Sequence, residues 1–80
     1  MNRQIPADAV LDVTGLCCPM PVLRSRQAID RLEPGQILEV RATDPGSRRD
    51  IPAWASQLGH EVVQVQEDGG VVRFFIRKRR

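Results

Sequence analysis

Residues 15–23 read Gly15-Leu16-Cys17-Cys18-Pro19-Met20-Pro21-Val22-Leu23. They contain both cysteines of the chain and lie where an alternating apolar segment gives way to a helical pattern. A thiol at such a junction lies near the positive end of a helix, where aligned peptide dipoles lower the pKa of a cysteine. The stretch therefore predicts a strand-to-helix turn that presents one reactive thiol, which we assign to Cys18.

The segments on either side of this turn predict a strand and a helix. Before it, Ala9, Leu11 and Val13 fall on one side of an extended chain and Asp12 falls on the other. After it, residues 21–32 follow a helical period, and a proline suits the first turn of a helix. The apolar stripe of this helix comprises Val22, Ser25, Ala28, Ile29 and Leu32.

The next segments predict a second strand and a second helix. Residues 33–35, Glu-Pro-Gly, end the first helix, and residues 36–42 alternate with Leu38, Val40 and Ala42 facing inward. A strand, a helix and a strand in succession form a unit that is normally parallel and right-handed. The apolar stripe of the second helix comprises Ile51, Trp54, Ala55 and Leu58.

The start of the second helix is open between two interpretations. Residues 44–47, Asp-Pro-Gly-Ser, form a turn that leads into it. Asp50 could cap a helix that has Pro52 in its first turn, or Asp44 or Ser47 could cap a longer helix that bends at Pro52.

Two further strands, residues 61–66 and 71–78, are joined through Glu67-Asp68-Gly69-Gly70, which is a strong hairpin signal. The residues expected to face inward are Val63, Val65, Val72, Phe74 and Ile76. The opposite face of the sheet is expected to be solvated and carries Asp12, Glu39, Arg41, Gln64, Arg73 and Phe75.

The order β-α-β-α-β-β predicts an α/β (α+β) two-layer sandwich, with two helices on one face of a four-stranded mixed sheet. We divide the chain into a flexible N-terminal arm, residues 1–8, and a single domain, residues 9–80. Eighty residues, of which 41% are hydrophobic, suffice for one small core but not for a deep enclosed pocket.

Charge and composition exclude several classes of protein. The net charge is +2, but four of the twelve basic residues are residues 77–80, and without them eight basic residues face ten acidic ones. This balance argues against direct nucleic-acid binding. The first residues lack the apolar run of a signal peptide, and no segment reaches the roughly 20 apolar residues that span a bilayer, so we expect a cytoplasmic protein without membrane contact.

The two cysteines are expected to be free thiols in a reducing compartment, because adjacent cysteines can join only through a strained ring. Two cysteines and one distant histidine do not have the spacing of a zinc site, so the sequence predicts no metal and no bound cofactor.

The surroundings of Cys18 limit its chemistry. Pro19 and Pro21 restrict the backbone and provide no N–H donors, which favours a presented thiolate over an enclosed oxyanion hole. Protease-type catalysis needs a histidine, and His60 lies in an ordinary turn after the second helix. A nucleophilic cysteine without a base or a Cys-x-x-Cys partner suits reactions between sulfur atoms, and persulfide transfer is such a reaction.

Cys17 has more than one interpretation. As the direct neighbour of Cys18 it should point elsewhere, which favours a small, partly buried side chain. A second sulfur carrier or a resolving thiol are the alternatives.

Residues 15–23 resemble the Cys-Pro-x-Pro signature of the TusA/SirA-like sulfur-carrier family. Similarity extends over residues 10–78 and includes Leu11-Asp12, Leu32-Glu33-Pro34-Gly35, Asp44-Pro45-Gly46-Ser47, Arg49-Asp50-Ile51-Pro52 and Gly59-His60-Glu61. Cys17 departs from the family pattern, because many relatives have a basic or small residue there.

The resemblance implies the same sandwich fold and a sulfurtransferase-type carrier role. In this family the motif cysteine, here Cys18, accepts sulfane sulfur from a cysteine desulfurase as a transient persulfide and passes it to a sulfur-relay protein. Branches of the family serve tRNA 2-thiolation, molybdenum-cofactor maturation or sulfur oxidation, and the sequence does not choose among them. Whether such a carrier is an enzyme in its own right stays open.

Several residues near Cys18 are candidates for partner binding. They are Cys17, Met20, Arg24, Arg26, Asp44 and Arg49, with Arg48 and Asp50 on the same predicted surface. Solvated helix charges, helix capping and simple packing are the competing interpretations of these side chains. At the level of the whole protein, the alternatives are a non-catalytic protein- or RNA-binding regulatory module, which would use residues 77–80, and a redox switch through a Cys17–Cys18 disulfide.

Overall fold

Six elements follow one another along residues 7–79, the part of the chain that the structure, a computed structural model, describes. They are β1 (Ala9–Asp12), α1 (Met20–Ile29), β2 (Ile37–Ala42), α2 (Ser47–Gln57), β3 (Glu61–Asp68) and β4 (Val71–Arg77). This order confirms the predicted β-α-β-α-β-β succession. Residues 1–6 of the predicted arm and Arg80 of the basic end lie outside the described residues.

The four strands form one mixed sheet in the order β1-β2-β4-β3. β1 pairs in parallel with β2, and Ala9 lies beside Leu38 in that register. β4 pairs antiparallel with both β2 and β3, so the last strand of the domain lies inside the sheet. Asp8, which precedes β1, exchanges two hydrogen bonds with Ile37.

The core lies between the two helices and one face of the sheet. The predicted inward residues of β2 and β4 are buried there: Leu38, Val40, Ala42, Val72, Phe74 and Ile76. The helices cover them with Ile29, Ile51, Trp54 and Ala55. Each large apolar side chain buried in this way stabilises the fold by roughly 1.5–3 kcal/mol. The two-layer sandwich is therefore confirmed.

α1 ends at Ile29, three residues before the predicted end. The N–H groups of Arg31 and Leu32 bond carbonyls three residues back, so the chain leaves the helix in a tighter turn. Lys78 Nζ donates to the carbonyl of Leu32 at 2.6 Å. A lysine that directly follows β4 therefore donates to a backbone carbonyl that lies beyond the end of α1.

Of the two alternatives for the second helix, the structure has the longer one, which contains Pro52 in its interior. Its N-cap is Gly46, where no side chain makes a capping hydrogen bond, so capping by Asp44, Ser47 or Asp50 was the wrong expectation. The Ser47 N–H instead bonds the backbone carbonyl of Asp44 at 3.0 Å. The side chains of both aspartates are left for other contacts.

β3 carries an irregularity that the alternating pattern did not predict. A register shift lies between Val62 and Gln64, and Val62 packs against the core in place of Val63. One inserted residue moves the following side chains to the other face, which is the effect of a β-bulge. Val65 lies opposite the buried Phe74 but is 51% exposed, because β3 is an edge strand.

The expectation of a solvated opposite face is wrong at its centre. Phe75 is only 2% exposed, and Glu39 is also buried. Phe75 lies on an internal strand between Glu39 of β2 and Gln64 of β3. Glu39 accepts a hydrogen bond from Arg41 Nε at 2.6 Å, so its buried carboxylate is paired.

Candidate functional site

The turn after β1 is fixed by side-chain hydrogen bonds. Asp12 Oδ1 accepts from the hydroxyl of Thr14 at 2.6 Å and from its N–H at 2.9 Å, and these bonds lower the pKa of Asp12. The N–H of Gly15 donates to Thr43 Oγ1 at 2.8 Å, and the positive φ of Gly15 (81°) is one that glycine adopts without strain. The loop that carries the cysteines is therefore anchored to the end of β2.

The prolines lie at the start of α1, as the sequence predicts. Pro19 occupies the N-cap position, Met20 begins the helix, and the Cys18–Pro19 peptide bond is cis. The N–H of Met20 bonds the carbonyl of Cys17 at 3.0 Å. Pro21 is fully buried, and its carbonyl accepts a hydrogen bond from the buried hydroxyl of Ser25 at 2.6 Å. The buried Pro21 and its hydrogen bond to Ser25 therefore fix the motif to the first turns of α1.

Cys18 is exposed and faces α2. Its Sγ–H donates to Asp50 Oδ2, with 3.3 Å between sulfur and oxygen. Asp50 lies in the first turn of α2, immediately before the fully buried Ile51. The thiol from the loop between β1 and α1 and the carboxylate from α2 are therefore in contact at the surface.

A second carboxylate lies beside this pair. A Cβ atom placed on Gly46 would lie 3.2 Å from Asp44 Oδ2 and 3.6 Å from Asp50 Oδ2, so both oxygens lie over this glycine. Among the described residues, Asp44 Oδ2 is buried and has no hydrogen-bond partner. The surroundings of Cys18 are consequently acidic.

The pKa of Cys18 moves in the direction opposite to our expectation from the sequence. The hydrogen bond to Asp50 raises the pKa of the thiol, and loss of water around the sulfur and the charges of Asp50, Asp44 and Cys17 act in the same direction. The start of α1 offers little to oppose them, because Pro19 and Pro21 have no N–H. These contacts favour the protonated thiol of Cys18 over its thiolate.

This direction predicts the pH dependence of alkylation. In a Cys17→Ser protein, the rate of Cys18 alkylation by iodoacetamide should rise with a midpoint above that of an unfolded peptide of residues 15–23 with the same substitution. The thiolate is the reacting form, and Asp50 disfavours it only in the folded protein. A midpoint at or below that of the peptide would contradict the acidic environment of Cys18.

The other candidate side chains near Cys18 and Asp50 differ in their exposure to solvent. Cys17 is exposed, so the interpretation of a partly buried side chain is wrong. Met20 is half-buried, and Arg24 and Arg26 are exposed on α1. On α2, Arg49 is exposed, whereas Arg48 forms an ion pair with Glu67 of β3.

The sequence did not single out two exposed leucines or the contact of Asp50 with sulfur. Leu16 precedes the cysteines, and Leu23, which is 49% exposed, follows them on the first turns of α1. The position of Leu23 off the apolar stripe was the available signal for its exposure. Asp50 was attributed to capping or to the partner surface, and no local pattern connects it with a cysteine 32 residues away.

The protein-family model described as sulfurtransferase TusA matches residues 9–78, which include every element above. The chain belongs to the TusA family. Over 74 residues it is 50% identical to the sulfur carrier protein TusA of Pseudomonas paraeruginosa, covering 92% of this chain and 94% of that protein. Over 72 residues it is 53% identical to the sulfur carrier protein TusA of Pseudomonas putida strain GB-1, covering 90% of each chain.

A solved structure shares the fold of this TusA-family chain. The crystal structure of the SirA-like protein from Desulfitobacterium hafniense superposes with a TM-score of 0.77 at 26% sequence identity. The match covers 90% of this chain and 99% of the other.

His60 lies at the opposite end of α2 from Cys18 in this member of the TusA family. Its Nδ1 accepts a hydrogen bond from the backbone N–H of Arg79 at 3.2 Å, and its ring lies 6.3 Å from that of Trp54. An eleven-residue helix is about 16 Å long, so this ring is not a base for the thiol. His60 lines a cleft of about 430 Å³ together with Pro52, Ser56, Gly59, Glu61, Val62 and Arg79.

Within residues 7–79, no three side chains of histidine, cysteine, aspartate or glutamate form a group that could hold a metal ion. None of the helices in the same range is long and apolar enough to cross a membrane.

Proposed function

We propose that this protein is a sulfur carrier that accepts sulfane sulfur on Cys18 as a persulfide and passes it to an acceptor thiol. The observation that carries the proposal is an exposed cysteine, fixed at the strand-to-helix junction of a TusA-family domain. The relatives named sulfur carrier protein TusA support the same role.

The transfer needs no oxidant or reductant. The sulfur of Cys18, as thiolate, attacks the outer sulfur of a donor persulfide, so a new S–S bond forms and the donor S–S bond breaks. The donor leaves as a thiolate and takes up the proton that Cys18 has lost. In the second step an acceptor thiolate attacks the outer sulfur on Cys18, and the Cys18 thiolate leaves and is reprotonated.

We propose a cysteine desulfurase as the donor and a sulfur-relay protein as the acceptor, in the cytoplasm. Two exposed thiols with no disulfide fit a reducing compartment. The acceptor pathway would be tRNA 2-thiolation, molybdenum-cofactor maturation or sulfur oxidation. Because Cys18 is exposed and the surrounding turn does not enclose it, the partner would complete the reaction site by docking over Leu16, Met20 and Leu23.

Intact-mass measurement tests the assignment of Cys18. After incubation with a cysteine desulfurase and cysteine, the wild-type protein and Cys17→Ser should each gain one sulfur, about 32 Da, and Cys18→Ser should gain none. Reduction with dithiothreitol should remove the added mass, which distinguishes a persulfide from a stable adduct. A mass gain that persists in Cys18→Ser would contradict the proposal.

The contacts of the basic end favour a structural role over RNA binding. Arg77 and Arg79 both pair with Glu61, and Lys78 Nζ bonds the carbonyl of Leu32. These side chains are engaged by the domain itself. An RNA-binding module would need them directed at phosphates.

A further inference from the structure

We propose that Asp50 distinguishes the empty carrier from the loaded one, by holding the thiol of Cys18 against α2 and turning its persulfide outward. This inference rests on the proposed function of Cys18 as the sulfur-carrying residue. It assigns to Asp50 a direct action on the reacting sulfur.

The empty state is the one that the structure describes. Asp50 accepts a hydrogen bond from Sγ, and only a protonated sulfur can donate it. The carboxylate is held in place by the first turn of α2, whose next residue, Ile51, is fully buried. The hydrogen bond from the protonated thiol to Asp50 therefore holds the side chain of Cys18 against α2.

Loading removes that proton and brings negative charge. After transfer, the sulfur bonded to Cβ is joined to a second sulfur and has no hydrogen to donate. The terminal sulfur is more acidic than a thiol and is anionic at neutral pH. The contact that held Cys18 on α2 is thus replaced by repulsion from a carboxylate.

Asp44 strengthens the repulsion. Its buried oxygen Oδ2 has no partner among the described residues and lies with that of Asp50 over Gly46. Three ionisable groups act on Sγ: Asp50 from α2, Asp44 from the connection between β2 and α2, and Cys17 from its own loop. Each of them, when ionised, disfavours a negative sulfur on this side of Cys18, so the terminal sulfur turns toward solvent.

The consequence is a carrier whose thiol is held by Asp50 when it is empty and whose terminal sulfur turns away from Asp50 when it is loaded. The empty protein keeps a protonated thiol, which reacts slowly with oxidants and electrophiles. The loaded protein offers an outward persulfide to an acceptor. A docking donor would have to draw the thiol away from Asp50 before it can attack.

Two measurements on one set of variants test this inference. Asp50→Asn keeps the shape of the side chain but removes its charge, and it is compared with Asp30→Asn, which alters an exposed carboxylate at the other end of α1. All proteins carry Cys17→Ser. Inorganic polysulfide loads Cys18 without a protein donor, because the thiolate takes one sulfane sulfur and a shorter polysulfide leaves.

The two rates should change in opposite directions. Alkylation of the empty Asp50→Asn protein by iodoacetamide at pH 7 should be about threefold faster or more, because the thiolate is no longer opposed. Alkylation of the terminal sulfur in the loaded Asp50→Asn protein by iodoacetamide should be about threefold slower, because the amide can donate a hydrogen bond to the persulfide anion. Asp30→Asn should change neither rate, and Asp50→Glu should restore both toward the wild-type values.

Any other pattern overturns the inference. Loss of structure at the start of α2 would expose both forms of the sulfur and accelerate both reactions. If both rates change in the same direction, Asp50 has a structural role only. Unchanged rates, or a change in one alone, mean that Asp50 does not distinguish the two states. If intact mass shows no sulfur on Cys18 after polysulfide treatment, the proposed function fails, and the inference fails with it for a separate reason.

Discussion

An excess of the Cys18→Ser protein is expected to slow the loading of the wild-type protein by a desulfurase, while the serine variant itself takes up no sulfur. The substitution removes the nucleophile but keeps the exposed side chains around it, including Leu16 and Leu23. With the donor saturated, a tenfold excess of the variant should reduce the wild-type loading rate about tenfold. The measurement is intact mass against time, since the serine and cysteine proteins differ in mass.

The matched control is a double variant, Cys18→Ser with Leu23→Asp. Leu23 is exposed on α1 close to the motif, so a charge there should weaken docking without disturbing the core. Inhibition should therefore be smaller with the double variant. If Cys18→Ser did not inhibit at all, docking would depend on the thiol itself, and the surface we assign to the partner would be wrong.

Phe74→Ala is expected to lower the free energy of unfolding by about 3–5 kcal/mol. Phe74 is among the largest fully buried side chains, and it lies on β4 between Val40 of β2 and Val65 of β3. Truncation removes buried apolar surface and leaves a cavity between the sheet and the helices. Small domains have a total stability of about 5–15 kcal/mol, so the variant should be close to unfolding.

Urea denaturation followed by circular dichroism measures this loss. Val65→Ala is the matched control, because Val65 is the cross-strand neighbour of Phe74 but is half exposed on the edge strand. It should cost less than about 1 kcal/mol. Equal costs for the two substitutions would mean that the helices do not cover the sheet as described.

The sequence was sufficient for the fold because its local signals agree with one another. Alternation predicted β1 and β2, the helical stripe predicted α1, and Asp68-Gly69-Gly70 marked the hairpin. It failed where tertiary contacts decide. No local pattern indicates the bulge after Val62, and the burial of Phe75 depends on its place on an internal strand.

The site was predictable in part for the same reason. The Pro-flanked motif predicted that Cys18 would be presented at the start of a helix, and the structure places it there. The partner of its thiol comes from a helix that begins some thirty residues later and is set by the packing of α1 against α2. The helix dipole alone therefore gave the wrong direction for the pKa of Cys18.

The position of β4 has a consequence for synthesis of the domain. Among the described residues, β3 pairs with the rest of the sheet only through β4, and β4 is the last of the six elements to leave the ribosome. Until it emerges, β2 lacks the antiparallel neighbour whose Phe74 lies beside Val40, and β3 has no strand to pair with. The domain should therefore complete its fold in one step, after its last strand is free, with no stable partial form from which Cys18 could react early.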